Sequence, residues 1–251
     1  MNTNNINGAE LNPHVSADCV IFGYDFEELK VLLIERSYDD KTKSPGEGKV
    51  TDWLLPGDLV RDDEDLDTSA RRVLKELTGL ENIYMEQFYA FGNPNRVRKE
   101  QDLEWLKSIR AHPEARVITV GFLALVKLEA YIPRPHSFAR KSVWFPVNKT
   151  PDLAFDHNQI LAKAIETLRF KLKYSSIAFE LMPKKFTIGQ LQKLYEAIAD
   201  KTFDKRNFRR KLKSLNLLIP LDEKQMGVSH KPANVYSYNR KAFQLAQKEI
   251  F

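Results

Sequence analysis

The stretch Leu55–Leu80, LPGDLVRDDEDLDTSARRVLKELTGL, decides the fold. Its opening Leu-Pro-Gly predicts a strand that ends in a turn, because proline fixes φ and glycine permits positive φ. An acidic loop follows at residues 62–65, after which Asp67 or Thr68 is placed to cap a helix. Gly79 occupies the position of a C-cap glycine. The helix between them has one apolar face, formed at helical spacing by Ala70, Val73, Leu74 and Leu77.

The same stretch resembles the Nudix box, G-x5-E-x7-R-E-U-x-E-E-x-G-U, in which U is an aliphatic residue. An ordinary amphipathic helix after a turn would explain the periodicity, but it would not explain the box frame together with the Trp-x-Leu-Pro-Gly lead-in. The positions that match the frame are Glu64, Arg72, Glu76, Gly79 and Leu80. The resemblance implies an α+β protein whose main domain is a Nudix-like α/β/α sandwich.

Three positions depart from the box. Asp58 stands at its first glycine, Val73 at the glutamate of the Arg-Glu pair, and Leu77 at the second glutamate of the Glu-Glu pair. The resemblance implies that in Nudix hydrolases these glutamates hold a divalent metal, and Mg²⁺ needs several oxygen ligands. Because the acidic set shrinks to Glu76 and Glu64, we predict a scaffold without hydrolytic chemistry: no enzyme, no catalytic residue, no metal and no cofactor. The alternative is an active pyrophosphohydrolase, in which other carboxylates of the acidic loop replace the lost ligands.

The composition indicates a globular protein of one large or two ordinary domains, since the 251 residues are 43% apolar and 29% charged. No apolar run reaches the roughly 18 residues that a membrane span needs. The polar N-terminus lacks the basic and then apolar pattern of a secretion signal, so residues 1–13 are predicted to be a flexible arm. The single Cys19 argues against a disulfide framework. These features favour a cytoplasmic protein.

The sequence around the box predicts further strands. Two apolar runs within residues 15–36 predict a hairpin, and residues 37–52 predict a polar loop. Residues 84–91 and 117–128 read as strands, and the second is apolar enough to be central in the sheet. Residues 97–114 are highly charged and predict a surface loop or a short helix.

The charges divide the chain into two parts. Residues 158–251 carry 19 Lys and Arg against 8 Asp and Glu, whereas the rest carries 20 against 26. A basic module joined to an acidic one suggests a nucleic-acid partner for the basic part. A solvated basic face is the plainer explanation, so the placement of the charges must decide.

That placement predicts a winged helix-turn-helix. Thr187 caps a helix over residues 188–199, and Asp204 caps a second helix over residues 205–215 after a short turn. The second helix turns Phe208, Leu212 and Leu215 inward and its basic residues outward. Residues 217–221 and 235–238 then predict a hairpin with a wing between its strands, and residues 240–251 predict a final helix.

Arginine, lysine and asparagine on such a helix and wing can bind phosphates and base edges of double-stranded operator DNA. A structured RNA is the alternative partner for the same basic face. The predicted DNA-binding residues are Lys205, Arg206, Asn207, Arg209, Arg210, Lys213 and Lys231.

The degenerate box, FGNPNR at residues 91–96, the apolar strand VITVGFLAL at 117–125 and LAFDH at 153–157 together resemble the Nudix-related transcriptional regulators. The resemblance spans nearly the whole chain and implies a small-molecule inducer, which is L-arabinose in one branch and ADP-ribose in another. The heavy loss of box carboxylates favours the sugar-responsive branch, and hence a repressor in carbohydrate metabolism. The alternative is an ADP-ribose-responsive regulator of NAD metabolism.

The resulting organisation has four parts: arm 1–13, Nudix-like effector domain 14–157, linker helix 158–173 and winged helix-turn-helix 174–251. A homodimer is expected, because helix-turn-helix proteins usually read two half-sites. The inducer would shift the dimer toward a geometry that misses those half-sites.

Five residues are candidates for effector binding. Arg72 and Glu76 are placed by the box, although an arginine there can equally serve as a structural ion pair. Arg96 follows the Asn-Pro-Asn turn, where a surface arginine is the alternative. Asp156 and His157 begin a long helix, and Asp156 could equally be its N-cap.

Overall fold

A computed structural model describes residues 10–39, 49–97, 99–128, 141–227 and 231–241, apart from the side chains of residues 38, 39, 49 and 50. The chain forms two compact units. The first comprises residues 1–22, 31–124 and 132–164, and the second comprises residues 23–30, 125–131 and 165–251.

The elements follow in chain order as β1 (Leu11–Tyr24), β2 (Leu29–Asp39), β3 (Lys49–Leu54), β4 (Gly57–Arg61), α1 (Leu66–Thr78), β5 (Tyr84–Phe91), α2 (Glu100–Ile109), β6 (Ile118–Lys127), β7 (Lys141–Pro146), α3 (His157–Tyr174), α4 (Ala178–Leu181), β8 (Phe186–Thr187), α5 (Ile188–Ala199), α6 (Lys205–Ser214), β9 (Leu218–Lys224) and β10 (Asn234–Tyr238).

Seven strands form one sheet, in which β3, β2, β1, β6 and β5 lie side by side in that order, while β4 pairs with β1 and β7 pairs with β2. The hairpin predicted in residues 15–36 is confirmed as β1 and β2. Strand β6 lies inside the sheet and is buried from Thr119 to Val126, as predicted for the most apolar strand. The pairing of β4 with β1 sets Gly57 opposite Asp18, which brings the start of the box against the middle of the sheet.

Two predicted irregular stretches contain strands. The loop predicted at residues 37–52 is wrong at both ends, because β2 runs on to Asp39 and β3 begins opposite it at Lys49; residues 40–48 lie outside the described part. Polar side chains are compatible with this ladder, since the backbone supplies its hydrogen bonds. Strand β1 begins at Leu11, within the predicted arm, and Leu11 pairs with Arg61. Residues 1–9 of that arm lie outside the described residues.

Helix α1 is the predicted box helix. Its N-cap is Asp65 rather than Asp67 or Thr68, because the Asp65 carboxylate accepts from the Thr68 N–H at 2.7 Å. The helix therefore begins at Leu66, earlier than predicted, and Gly57, which was predicted to lie in a turn, begins strand β4. Gly79 is confirmed as the C-cap, with φ of 74° in the left-handed region.

Helix α2 lies within the charged stretch 97–114, where the sequence allowed either a surface loop or a short helix. It buries Trp105 and Leu106 together with the carboxylate of Asp102. Its polar composition therefore conceals an inward face, and that face forms part of the site described below.

The second unit has the predicted helix-turn-helix and wing. Thr187 and Gln190 form a capping box at the start of α5, and the Asp204 carboxylate accepts from the Asn207 N–H at 2.8 Å to cap α6. Strands β8, β10 and β9 form a second sheet in that order. Tyr195 packs edge-on against Phe208, with ring centroids 5.4 Å apart, and this contact joins α5 to α6.

These units confirm the α+β fold class, with a Nudix-like domain and a winged helix-turn-helix. The final helix predicted over residues 240–251 lies outside the described residues beyond position 241. No helix in the described ranges is both long and apolar enough to cross a bilayer.

Candidate functional site

Arg72 lies at the centre of the carboxylates of the box. Its guanidinium donates to Glu64 at 2.6 and 3.0 Å and reaches oxygens of Asp58 and Glu76 at 3.2 and 3.4 Å. A second arginine, Arg61, donates to Glu76 at 3.2 Å. Arg61 and Arg72 thus bind both glutamates that the degenerate box retains, and Arg72 also contacts Asp58.

The pKa of Glu64 fits this role. Burial acts to raise it, but the hydrogen bond from Arg72 and the charge of that arginine hold the pKa of Glu64 below its ordinary value. Glu64 is therefore an ionised partner for Arg72, and both side chains are buried.

The donor set at the box does not fit a Mg²⁺ site. Val73 and Leu77, which stand where the Nudix box has glutamates, are buried in the core. The two glutamates that the box retains, Glu64 and Glu76, are bound by arginine, whereas Mg²⁺ needs several oxygens in near-octahedral array. Within the described residues, no group of three or more histidine, cysteine, aspartate or glutamate side chains is arranged to hold a metal.

A separate cavity of about 170 Å³ lies among residues of β1, β4, α2 and the start of α3. Arg96 and Asp156 both line it and form a two-point ion pair, with Nε–Oδ2 and Nη2–Oδ1 distances of 2.7 and 2.8 Å. Asp156 begins α3 through its backbone carbonyl, which accepts from the Gln159 N–H at 2.8 Å. Its carboxylate is committed to Arg96.

His157 joins the cavity wall to the Leu-Pro-Gly turn. The backbone N–H of Leu55 donates to His157 Nδ1 at 2.9 Å, so Nδ1 carries no proton, and a neutral ring carries its hydrogen on Nε2. That Nε2 faces Asp18 Oδ2 at 3.4 Å. Gly57 leaves space for this arrangement, because a Cβ there would lie 2.8 Å from Asp18 Cγ.

Behind the cavity, a fully buried Arg36 holds α2 and the segment before α3. Its guanidinium donates to Asp52 at 2.5 and 2.8 Å and also to Asp102. The rings of Trp105 and Phe155 each lie with their centroid 4.9 Å from the guanidinium carbon. Asp102 in turn accepts from the Phe155 N–H at 3.0 Å, which fixes Phe155 at a positive φ of 57°.

The second candidate site is the outer surface of α6 and the wing. Phe208 and Leu212 are buried, and all six residues predicted on this helix as DNA contacts are exposed. Arg210 donates to the side-chain oxygen of Asn207 at 2.8 Å. The predicted wing contact Lys231 is also exposed. Lys211 lies on the same helix and is exposed, although the sequence did not select it.

Comparison with known proteins finds two known domain families in the chain. Residues 12–168 match the NUDIX domain, and residues 178–238 match the NrtR DNA-binding winged helix domain. A protein of Acinetobacter baylyi described as the ADPR responsive transcriptional repressor NtrR is 30% identical over 232 residues, which cover 90% of this chain and 82% of that protein. The chain belongs to the Nudix-related transcriptional regulators.

Solved structures agree with this membership. The crystal structure of Shewanella oneidensis NrtR complexed with a 27mer DNA is 28% identical, covers 92% of this regulator and 95% of that chain, and superposes with a TM-score of 0.66. A MutT/nudix family protein of Enterococcus faecalis, at 22% identity, covers 91% of this regulator and 87% of that chain with a TM-score of 0.64. The second likeness concerns the fold alone.

In this Nudix-related regulator, the five predicted effector residues fall in two places. Arg96, Asp156 and His157 line the cavity, whereas Arg72 and Glu76 belong to the ion-pair cluster on the box helix. Other polar residues of the cavity wall were not predicted as effector contacts, among them Asp18, Asp58 and Arg110. Of these three residues, only Asp58 has a signal in the sequence, because it is a carboxylate at a position where the Nudix box has glycine.

Proposed function

We propose that this regulator is a repressor whose binding to operator DNA is controlled by ADP-ribose. The sequence alone favoured L-arabinose, with ADP-ribose as the alternative. The relative from Acinetobacter baylyi is the reason to prefer ADP-ribose over L-arabinose, because it matches 90% of the chain and is named for its response to ADPR. L-Arabinose and a role in carbohydrate metabolism have no comparable support.

The effector site of this proposal is the cavity beside α2 and the start of α3. Arg96, Asp156 and His157 supply its polar wall, and Trp105 and Phe155 supply aromatic surface. Because the volume is below the roughly 300 Å³ at which ligand pockets usually begin, it suits one group of a larger effector. Arg72 and Glu76 act in this proposal as a scaffold that replaces the metal of a hydrolase.

The output of the proposed switch is α6 in the major groove of the operator. Its exposed arginines, lysines and Asn207 contact phosphates and base edges, while Lys231 on the wing contacts the neighbouring backbone. The regulator acts in the cytoplasm as a homodimer that reads two half-sites. ADP-ribose favours a state of that dimer in which the two α6 helices no longer fit both half-sites.

The proposal includes the absence of hydrolysis. With Val73 and Leu77 in the core and Glu64 and Glu76 bound by arginines, the box offers no free set of oxygens to a metal. Incubation with ADP-ribose and Mg²⁺ is expected to give no AMP and ribose 5-phosphate. Turnover that is lost on Glu76→Gln would instead favour the pyrophosphohydrolase alternative.

A gel-shift experiment tests the function as a whole. The full-length protein is bound to the DNA upstream of its own transcription unit and titrated in parallel with ADP-ribose and L-arabinose, with a structured RNA as competitor. We expect ADP-ribose to release the DNA and L-arabinose to have no effect. Release by L-arabinose alone would show that L-arabinose, which the sequence favoured, is the inducer. Preference for the RNA would contradict the proposal that operator DNA is the partner.

A further inference from the structure

Arg110 differs from the other cations around the cavity. It is the C-cap residue of α2, where its backbone N–H donates to the Leu106 carbonyl at 2.8 Å, and its side chain is partly buried in the cavity wall. Among the residues that the structure describes, no acceptor lies within hydrogen-bond or ion-pair distance of its guanidinium.

Apart from the exposed Glu114, the other charged groups of the wall are already engaged. The relevant pairs are Arg96 with Asp156, Asp18 with His157, and Asp58 with Arg72. Arg116, at the exposed side, donates to the Gly92 carbonyl at 2.9 Å. Arg110 is therefore the cation of this wall whose hydrogen-bonding capacity is unused within the described chain.

Arg110 is partly buried, so its guanidinium has lost part of its hydration. A guanidinium removed from water loses solvation that only acceptors or opposite charge can replace. Burial lowers the pKa of Arg110, although the carboxylates of Asp58 and Asp18 act to raise it. The C-terminal end of a helix favours a cation, and this accounts for the charge at this position. A fully solvated arginine would serve that purpose equally well.

We propose that Arg110 is the anchor for the anionic diphosphate group of the effector. This inference rests on the proposed response to ADP-ribose and names the residue that recognises its charged centre. Arginine offers two parallel N–H donors that match phosphate oxygens. The adjacent carboxylates of Asp18 and Asp58 accept hydrogen bonds from ribose hydroxyls on either side of the diphosphate.

The same geometry separates the two inducers considered above. A neutral pentose such as L-arabinose uses hydroxyl groups, which the carboxylates of Asp18 and Asp58 can bind. It has no anionic group for Arg110 and offers that guanidinium only neutral hydroxyl acceptors, which bind it more weakly than phosphate oxygens do. A ligand that carries both hydroxyls and a diphosphate satisfies both kinds of group in this cavity.

The test is a calorimetric titration of the full-length protein and two variants with ADP-ribose and, separately, with inorganic pyrophosphate. Arg110→Gln removes the charge, and Lys107→Gln is the matched control, because Lys107 is an exposed cation on the same helix that pairs with Glu104 at 2.8 Å. Arg110→Gln is expected to weaken the affinity for ADP-ribose by about 10- to 100-fold. This is the range expected when hydrogen bonds to a charged group are lost. Lys107→Gln is expected to bind like the wild type.

The thermal unfolding of the ligand-free proteins gives a second readout. Since the Arg110 side chain has no hydrogen-bond or ion-pair partner among the described residues, Arg110→Gln is expected to keep or raise the wild-type unfolding temperature. A marked fall would assign Arg110 a structural role and overturn the inference. Arg110→Lys keeps the charge without the paired donors, and it is expected to fold normally and bind ADP-ribose with intermediate affinity.

Two outcomes separate the anchor from the function. If the wild type binds ADP-ribose and Arg110→Gln binds it equally well, the anchor is wrong and the function stands. If the wild type does not bind ADP-ribose, the proposed function is wrong. The pyrophosphate titration then tests whether Arg110 forms an anion site. Pyrophosphate binding that weakens in Arg110→Gln supports an anion site at Arg110, whereas equal binding or none overturns it.

Discussion

Arg96 and Asp156 form a buried two-point ion pair between the turn after β5 and the residue that precedes α3. Both side chains are less than a tenth exposed. A pair of this kind contributes little if both partners are replaced together, but the loss of one partner leaves the other charge buried and uncompensated. The pair therefore links the turn after β5 to the start of α3, and each partner depends on the other for its compensation.

The first prediction uses that asymmetry. Asp156→Ala is expected to lower the free energy of unfolding by about 3–5 kcal/mol, as for other buried pairs that lose one partner. The nearby exposed pair of Lys99 and Asp152, at 3.0 Å, is the control, and Lys99→Ala should change stability by less than about 1 kcal/mol. Urea denaturation measures both. Similar small losses for the two variants would show that the Arg96 charge is well solvated.

A second prediction concerns pH and two carboxylates that share Arg72. The pKa of Glu64 is lowered below 4.5, so its contribution to stability is present above that pH and is lost as the pH falls through the folded-state pKa. Desolvation raises the pKa of Asp58, against the effects of Leu59 N–H and Arg72, so folding favours its neutral form. Asp58 thus opposes stability once the pH exceeds its ordinary pKa of 3.8.

We therefore expect opposite results from two neutral amide substitutions. Glu64→Gln lowers stability near neutral pH and flattens the dependence of stability on pH below 4.5. Asp58→Asn leaves stability near neutral pH unchanged or raises it. Urea denaturation at a series of pH values measures this, and equal losses for the two variants would contradict the assignment of Glu64 as the principal partner of Arg72.

The winged-helix unit was predictable because local rules act there without conflict. The caps Thr187 and Asp204, the inward Phe208 and the outward Arg206 and Arg210 all follow from helical periodicity and capping preference. Each of these features depends on residues within a few positions of one another. The tertiary contacts of this unit therefore agree with the helices and faces that the local sequence predicts.

The cavity was only partly predictable: the motifs indicated Arg96, Asp156 and His157, but the rest of the wall is assembled from residues far apart in the chain. Asp18 and His157 are 139 positions apart, and Arg36 and Asp102 are 66 apart. No spacing rule connects them, and the charged stretch around α2 conceals the buried Trp105. The box helix was recognised from its frame, whereas the arginine cluster that replaces a metal is visible only in three dimensions.

The close approach of β4 to β1 gives a third prediction. A Cβ at Gly57 would lie 2.8 Å from Asp18 Cγ, and so Gly57→Ala must displace the Asp18 carboxylate from His157. We expect lower stability and weaker ADP-ribose binding. Gly92→Ala is the matched control, because its nearest neighbour would be Ile118 Cγ1 at 4.0 Å. Thermal unfolding and calorimetric titration measure both, and equal behaviour of the two variants would place Asp18 outside the binding site.

The last prediction tests the outer face of α6. Arg206 and Arg210 are exposed opposite the buried Phe208, so alanine at either arginine is expected to weaken operator binding without lowering stability. If the lost contact is to phosphate, the slope of log affinity against log salt concentration should fall in magnitude by about 1.

Phe208→Ala should instead destabilise the fold by about 3–5 kcal/mol. The exposed Lys193 on α5 supplies a control of equal charge, and Lys193→Ala is expected to leave DNA binding unchanged. Fluorescence anisotropy across a salt series measures the affinities, and thermal unfolding measures the stability. Unchanged operator affinity in both arginine variants would mean that another surface binds the DNA.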